Sequence, residues 1–277
     1  MNMYYYEIAT DNDYKNYIQK FWCLNNSQNP FPTEPRYGLP NGCCTIAFIS
    51  GNGMVLNFGE DTVTLPGGIY LTGQITKRVG ITLQPHSKAV MAQVKPWFPL
   101  LITKHPMHEL TNVTCSLAHL NASLYNRLAN IDFTKEAILI PELYRCLDFY
   151  PDANADSRFV QWAFSRLEKG FIAGEQSIAD MSIASGYTQR RIEQKFKALV
   201  GPTAKEMQRI MQLRKLIDDM QKNEHNGNLT ILAHRYGYYD QSHFIKSYQR
   251  IIADLPSQFN SDNYILPING HFDFLQS

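Results

Sequence analysis

Residues 177–197 read SIADMSIASGYTQRRIEQKFK, and residues 229–250 repeat the pattern as LTILAHRYGYYDQSHFIKSYQR. Each copy predicts a short amphipathic helix, a turn that contains glycine, a polar N-cap residue and a second helix. Gly186 and Gly237 allow the positive φ that such a turn needs, without strain. This is the pattern of a helix-turn-helix motif, whose second helix is the recognition helix. Because two copies are more specific than one, the repeat decides the fold of the C-terminal half.

Both second helices have one apolar face and one polar face. Thr188 and Asp240 are their expected N-caps. The apolar faces, with a tyrosine expected to fill the core beneath each turn, consist of Tyr187, Ile192, Phe196 and Leu199 in the first copy and Tyr238, Phe244, Tyr248 and Ile251 in the second. Arg, Lys, Gln and Ser are side chains that pair with base edges and phosphates. The candidate DNA-binding residues on the polar faces are Gln189, Arg190, Glu193, Gln194, Lys197, Gln241, Ser242, His243 and Lys246.

A connector helix, expected over residues 203–222, separates the two copies. Its apolar stripe consists of Ile210, Leu213, Leu216 and Ile217. A rigid connector suits two major-groove contacts about one helical turn (~34 Å) apart on one face of B-DNA. The N-terminal turns of each recognition helix are expected to reach base edges, although Gln189 is a weaker candidate and Lys197 is expected to meet the phosphate backbone. The simpler alternative for any one of these residues is a solvated surface position.

The composition is that of a globular protein with about two domains. The chain has 277 residues, of which 44% are hydrophobic and 18% charged, and this excludes global disorder. The sequence has no run of ~18 apolar residues and no secretory signal at its start, so no membrane association is expected. Five cysteines without C-x-x-C spacing argue against a disulfide framework and a zinc ribbon, and favour a reducing cytoplasm.

The charge is divided unevenly along the chain. Residues 158–260 hold 15 Lys and Arg against 10 Asp and Glu, whereas the remainder holds 11 against 15. A basic segment of this kind suggests nucleic acid as the partner of the C-terminal half.

The N-terminal half, residues 1–150, reads mainly as strands followed by helices. Gly51-Asn52-Gly53 predicts a tight hairpin between strands at 43–49 and 54–58, and further strands are expected at 68–72, 75–83 and 88–94. The spacing of Leu117, Leu120, Leu124 and Leu128 predicts one or two helices after the strands, and Pro141 is expected to kink or start another. A polar linker follows at 151–157. The tail, 261–277, is expected to pack on the protein because it contains Tyr264, Phe272 and Phe274.

The sequence contains few of the motifs that are typical of enzymes. His105-Pro106-Met107-His108-Glu109 could hold a metal in a cupin-like sheet, but the spacing is not H-E-x-x-H and Pro106 hinders a regular helix. The sequence contains no phosphate-binding glycine loop and no G-x-S-x-G nucleophile elbow. Trp22, Trp97 and Phe98 could line a small-molecule pocket, although aromatic residues among strands are more often core. We therefore expect no catalytic residue, no metal and no cofactor.

Residues 159–259 resemble the DNA-binding domain of the AraC/XylS transcription regulators. The matching elements are Ile178, Ala184-Ser185-Gly186-Tyr187-Thr188, Phe196-Lys197, Gly201-Pro202-Thr203, Leu232-Ala233, Gly237-Tyr238, Asp240-Gln241-Ser242-His243-Phe244, Tyr248-Gln249-Arg250 and Pro256-Ser257-Gln258-Phe259. Ala253-Asp254 departs from this pattern, because such domains usually carry a glycine before Pro256. Asn260 stands where an arginine often follows the aromatic residue, and Gln212 and Leu216 occupy connector positions that are usually Arg and Ala.

The N-terminal half is similar, less strongly, to the β-rich sensor-like domain that precedes such modules in some bacterial regulators. The residues that carry this similarity are Asn41-Gly42-Cys43-Cys44-Thr45-Ile46-Ala47-Phe48, Leu71-Thr72-Gly73-Gln74, Gly80-Ile81 and His108-Glu109-Leu110-Thr111-Asn112.

The resemblance implies an α+β fold of two domains. Residues 1–150 would form a β-rich, barrel- or sandwich-like domain with trailing helices, and residues 158–260 an all-α domain with two helix-turn-helix motifs on a connector helix. It implies a bacterial, cytoplasmic transcription regulator that binds double-stranded DNA sequence-specifically and is not an enzyme. By analogy, the N-terminal domain would bind a small-molecule effector or form a homodimer, and an activator would contact RNA polymerase.

Two other readings stay open at this stage. The first is an enzyme or small-molecule binding protein with its site in the β-rich half, against which the missing ligand cluster counts. The second is an interaction protein whose C-terminal helices have lost DNA binding, which the modest net charge of residues 158–260 allows.

Overall fold

The structure is a computed structural model that describes residues 3–148, 154–173, 178–221 and 229–266. Its β-rich part contains ten strands: β1 (Tyr4–Ala9), β2 (Ile18–Asn26), β3 (Arg36–Gly38), β4 (Cys44–Ser50), β5 (Met54–Phe58), β6 (Asp61–Leu65), β7 (Gly68–Thr72), β8 (Val79–Leu83), β9 (Ser87–Val94) and β10 (Thr114–Ser116). Within the described ranges, no helix is long and apolar enough to cross a membrane.

The strands form two antiparallel sheets that pack face to face. The larger sheet has the order β1-β2-β9-β4-β7-β10, and the smaller has the order β3-β8-β5-β6. Ala47, Ile49 and Met91 of the larger sheet meet Leu56 and Ile81 of the smaller one in a shared apolar core. Among the described strands, hydrogen bonding does not close either sheet on itself, so the β-rich half is a sandwich and not a barrel.

The predicted hairpin at Gly51-Asn52-Gly53 is wrong, although the turn itself forms. β4 pairs with β7 and β9, whereas β5 pairs with β6 and β8, so the turn carries the chain from one sheet to the other. Gly51 has φ +80°, and a methyl group at this position would lie 2.0 Å from the His86 carbonyl oxygen. The glycines therefore mark a sharp, crowded turn, but a turn signal does not say which strands pair.

Helices cover the outer face of the larger sheet. They are α1 (Pro99–Ile102), α2 (Leu117–Leu120), α3 (Ala122–Leu128) and α4 (Glu136–Leu147). Leu124 and Leu143 pack there against Phe48 and Val90 of the sheet in one buried cluster. The predicted leucine spacing is thus used by two short helices, and Pro141 lies inside α4 instead of starting it.

The helical half contains six helices within the described residues. Its helices are α5 (Ala155–Ala173), α6 (Ile178–Ser185), α7 (Gln189–Leu199), α8 (Ala204–Gln221), α9 (Leu229–Arg235) and α10 (Gln241–Ile252). The last part of the predicted linker, from Ala155 on, belongs to α5, while residues 151–153 lie outside the described ranges. Tyr264 of the tail is buried, as expected, and Phe272 and Phe274 lie outside the described ranges.

The connector helix, α8, is buried around most of its circumference. The sequence predicted a single apolar stripe, but polar Arg214 and Asp218 are buried as well, and they form an ion pair at 3.0 Å. The reason is that α8 packs against α5, α7 and α10 at the same time. The buried residues of α8 are Ala204, Met207, Ile210, Met211, Leu213, Arg214, Leu216, Ile217, Asp218 and Met220.

The two halves share one apolar core. Leu39, Cys43 and Trp97 of the β-rich half belong to the same buried cluster as Phe164 of α5 and Leu216 of α8. A second meeting point lies at Gly201, after α7, where an added methyl group would be 2.4 Å from Thr111 Oγ1 and 2.9 Å from the Met107 carbonyl oxygen. The end of α7 therefore packs directly against the β-rich half.

We expect Gly201→Ala to destabilise the full chain more than Gly186→Ala does. Both glycines have a positive φ, +109° and +69°, so each alanine costs roughly 1–2 kcal/mol of backbone strain. Among the described residues, no atom beyond the chain neighbours lies within 4 Å of a methyl group added at Gly186. At Gly201 the overlap with Thr111 adds about 1–3 kcal/mol. Urea unfolding followed by circular dichroism measures both losses, and equal losses would contradict the close packing at Gly201.

Candidate nucleic-acid interface

The first helix-turn-helix motif consists of α6 and α7. Gly186 in its turn has φ +69°, as the sequence predicts. Thr188 is the N-cap of α7, because its side-chain oxygen accepts a hydrogen bond from the Arg191 amide at 3.2 Å. Ile192 and Phe196 are fully buried, so one face of α7 is fixed on the core and the opposite face is turned to solvent.

The second motif consists of α9 and α10 and has the same construction. Gly237 has φ +74° in the turn, and the Asp240 carboxylate accepts a hydrogen bond from the His243 amide at 2.7 Å. Phe244 and Tyr248 are fully buried beneath α10. Both recognition helices therefore begin at a side-chain cap, which pairs one of the free amides of the first turn.

The two turns differ in length by one residue. Thr188 follows Gly186 by two positions, whereas Asp240 follows Gly237 by three. The additional residue is Tyr239, whose side chain is 86% exposed beside the start of α10. Sequence reasoning did not single out Tyr239, and the unequal distance from glycine to N-cap was the signal that could have found it.

The tyrosines after the two glycines also behave differently. Tyr238 is 2% exposed and fills the core beneath the second turn, as predicted. Tyr187 is 42% exposed, and its ring lies edge-on to Phe159 of α5 at 6.0 Å, so the prediction that it fills the core of the first turn is wrong. Instead, Phe159 of α5, the helix that precedes this motif, packs against Tyr187 and Phe196 of the first motif.

Most of the predicted DNA-binding residues lie on exposed parts of the two recognition helices. In α7 the exposed residues are Gln189, Arg190, Gln194 and Lys197, and in α10 they are Gln241, Ser242, His243 and Lys246. Arg191, which sequence reasoning did not single out, is exposed on α7 as well. Arg190 and Arg191 lie in the first turn of α7, whose free amides and dipole favour phosphate.

Glu193 has a different environment from the other candidates. It is half-buried, and its Oε2 accepts a hydrogen bond from the Ala204 amide at 2.8 Å. Its carboxylate therefore binds the first residue of α8. Lys195 also faces inward, where its Nζ forms an ion pair with Asp156 at 3.1 Å and lies 4.8 Å from the Phe159 ring centre.

The β-rich half contains a small apolar cavity between its sheets. The cavity has a volume of about 50 Å³, which is room for roughly four water molecules. Trp22 lines it, and the Trp22 indole nitrogen has no hydrogen-bond partner among the described residues. Gly38 of β3, Met54 of β5 and Val79 of β8 line it from the smaller sheet, and Met91 of β9 lines it from the larger sheet beside Trp22.

A second, smaller cavity connects this region to the helical half. It shares Trp22, Leu39 and Asn41 with the first cavity and also touches Arg214 of α8. Cys43 lines the larger cavity, and burial raises the pKa of its thiol to about 12, so the thiol stays protonated at neutral pH. Trp97 and Phe98, the other aromatic candidates for a pocket, belong to the packed core.

The candidate metal residues are not brought together. His105, His108 and Glu109 are exposed around a short 3-10 helix, Met107–Leu110. Within the described residues, no group of three or more His, Cys, Asp or Glu side chains could hold a metal ion. All five cysteines are free thiols.

Two family profiles match the chain. Residues 181–262 match a helix-turn-helix domain, and residues 6–116 match a domain of unknown function, DUF6597. No curated protein matches the chain.

Among solved structures, the chain is similar to ToxT from Vibrio cholerae, with 12% sequence identity, a TM-score of 0.47, and coverage of 86% of this chain and 97% of ToxT. ToxT bound to (E)-4-(8-methylnaphthalen-1-yl)but-3-enoic acid matches with 12% identity, a TM-score of 0.46, and coverage of 93% and 96%. The AraC-like transcriptional activator CuxR matches with 14% identity, a TM-score of 0.25, and coverage of 76% and 75%.

The identification follows from the helical half. Its two capped recognition helices, the buried connector between them and the helix-turn-helix profile over residues 181–262 agree with the family pattern found in the sequence. Residues 181–262 therefore form a helix-turn-helix domain, which lies within the stretch of sequence that resembles the AraC/XylS regulators.

Proposed function

We propose that the protein reads two successive major-groove segments of duplex DNA, one with α7 and one with α10. The observation that carries this proposal is that both recognition helices start at solvent while their other faces are buried against α8. α8 has 18 residues and is therefore about 27 Å long. A connector of this length suits two contacts about one turn of B-DNA (~34 Å) apart.

The exposed residues divide into two roles. Arg190 and Gln194 of α7, and the polar side chains of the first turns of α10 (Gln241, Ser242, His243 and Lys246), are placed to meet base edges. Gln189 and Lys197 serve phosphate contacts, which position the helix without reading sequence. Glu193, through its hydrogen bond to Ala204, positions α7 relative to α8.

We expect Arg190→Ala and Gln241→Ala each to weaken binding to the preferred DNA by roughly 1–3 kcal/mol, because each removes a side chain that pairs with a base edge. Base preference should relax at two separate positions, about one helical turn apart. Lys197→Ala should instead weaken all sequences similarly and reduce the salt dependence of binding. The measurement is a mobility shift on DNA selected from a random duplex library and on scrambled DNA.

The control for this experiment is Lys77→Ala, which removes an exposed lysine from the β-rich half. It should bind as the wild type does. If Arg190→Ala and Gln241→Ala also bind the selected DNA as the wild type does, these helices do not enter the groove and the assignment fails.

We propose further that residues 1–150 regulate residues 158–260 in the cytoplasm, and that the protein is a regulator without catalytic activity. The cavity between the sheets supports a small, mainly apolar effector. A hydrogen-bond acceptor at one end of that molecule would satisfy the Trp22 indole nitrogen, which is otherwise unpaired. Met54 and Met91 would adapt to a ligand larger than the empty volume, because methionine changes shape at low cost. A homodimer, and contact with RNA polymerase by an activator, rest on family analogy alone.

A ligand of this class should raise the melting temperature of the full chain, because binding to the folded state adds about 2.7 kcal/mol at a concentration 100 times its Kd. A panel of small apolar alcohols, ketones and carboxylic acids provides the probes. Ala47→Leu should abolish the shift by filling the cavity, whereas Met91→Leu, which conserves volume, should retain it. A shift that survives in Ala47→Leu would place the ligand elsewhere, and no shift with any probe would contradict the effector proposal.

A further inference from the structure

We propose that Arg78 clamps the C-terminal end of α10 to the smaller sheet, and that this clamp sets the orientation of the second recognition helix on DNA. The proposal rests on the two-helix reading of DNA given above. Arg78 is therefore a positioning residue, since it lies at the opposite end of α10 from the turns that meet bases.

Arg78 binds the end of α10 with both its main chain and its side chain. Its amide donates a hydrogen bond to the Ile251 carbonyl at 2.8 Å. Its guanidinium donates to the Ala253 carbonyl at 3.4 Å and lies 3.7 Å from an Asp254 carboxylate oxygen. On its other side the guanidinium stacks on the Tyr37 ring, 4.2 Å from its centre. We call these four contacts the Arg78 clamp.

The clamp coincides with the place where the sequence departs from the family pattern. Ala253 is the C-cap of α10 and has φ +55°, a left-handed conformation that glycine adopts more easily. A helix end leaves its last carbonyl groups without partners inside the helix. Arg78 pairs with two carbonyls at this end, and Asp254, beside the substituted position, supplies the opposite charge.

The chain after α10 is held at the same edge of the sheet. The Ile265 amide donates to the Tyr37 carbonyl at 2.9 Å, and Arg36 donates to the Tyr264 carbonyl at 2.5 Å. Arg36 and Tyr37 both belong to β3, which pairs with β8 directly after Arg78. The clamp is therefore anchored in a hydrogen-bonded ladder and not in a free loop.

The first motif is held by the β-rich half at a different place. There, Gly201 at the end of α7 is packed on Met107 and Thr111. Each recognition helix is thus supported at its C-terminal end by the β-rich half, and each has its N-terminal turns exposed. α8 sets the separation of the two helices, and the Arg78 clamp sets the direction in which α10 projects.

The test compares Arg78→Ala with Lys77→Ala in the full chain. These neighbouring substitutions remove the same charge, but only the first removes the guanidinium contacts to α10 and Tyr37. DNA carrying the selected sequence is prepared with the natural spacing between the two contacted segments and with one base pair inserted or deleted. The wild type and Lys77→Ala should prefer the natural spacing. Arg78→Ala should bind it about three- to tenfold more weakly and should discriminate less between the three spacings.

Two further readouts separate positioning from direct DNA contact. The slope of log affinity against log salt should be the same for Arg78→Ala and the wild type, because Arg78 neutralises no phosphate. Amide hydrogen exchange without DNA should become faster at the end of α10 in Arg78→Ala and stay unchanged in Lys77→Ala. A reduced salt slope, unchanged exchange, or an unchanged spacing preference would each overturn the proposal. A wild type that binds no DNA would refute the proposed function, and hydrogen exchange would still decide whether Arg78 holds α10.

Discussion

The burial of α8 is the constraint on which the rest of the helical half depends. A connector helix with a single apolar stripe would contact both motifs through that stripe and would expose its opposite face to solvent. Here α8 is covered by α5, by both recognition helices and by the β-rich half, and the Arg214–Asp218 pair is enclosed with it. Because close-packed interiors transmit small displacements, a movement of any one of these elements is felt by the others.

This arrangement makes the two motifs unequal, although the sequence repeats them. The first motif packs against α5, whose Phe159 ring lies beside Tyr187. The second fills its own turn with Tyr238 and presents the additional Tyr239 to solvent. The motifs share N-caps and turn glycines, which act within a few residues. They differ in the residues from neighbouring elements that complete their apolar cores. The repeated sequence thus forms similar helices that pack against different neighbours.

The sequence was sufficient for the local structure and insufficient for the long-range contacts. The helices of the two motifs and the connector were predicted from glycine, N-cap and apolar spacing, because these signals lie within a few residues of each other. β3 and β10 have three residues each, too few to show an alternating pattern, and the longer β1 and β2 were also missed. The wrong pairing at Gly51–Gly53, the inward role of Glu193 and the contact between Arg78 and Ile251 share one cause. Each depends on partners that only the folded chain brings together.

β3 and β8 form part of the cavity wall, and residues in or next to these two strands support α10. Gly38 and Val79 line the cavity, and their immediate neighbours Tyr37 and Arg78 hold the end of the recognition helix. A molecule that displaces β3 and β8 would therefore also move the end of α10. Thermodynamic linkage requires the reverse as well: any factor by which such a molecule changes the affinity for DNA is the factor by which DNA changes the affinity for that molecule. Bound DNA would then change how tightly the β-rich half holds that molecule.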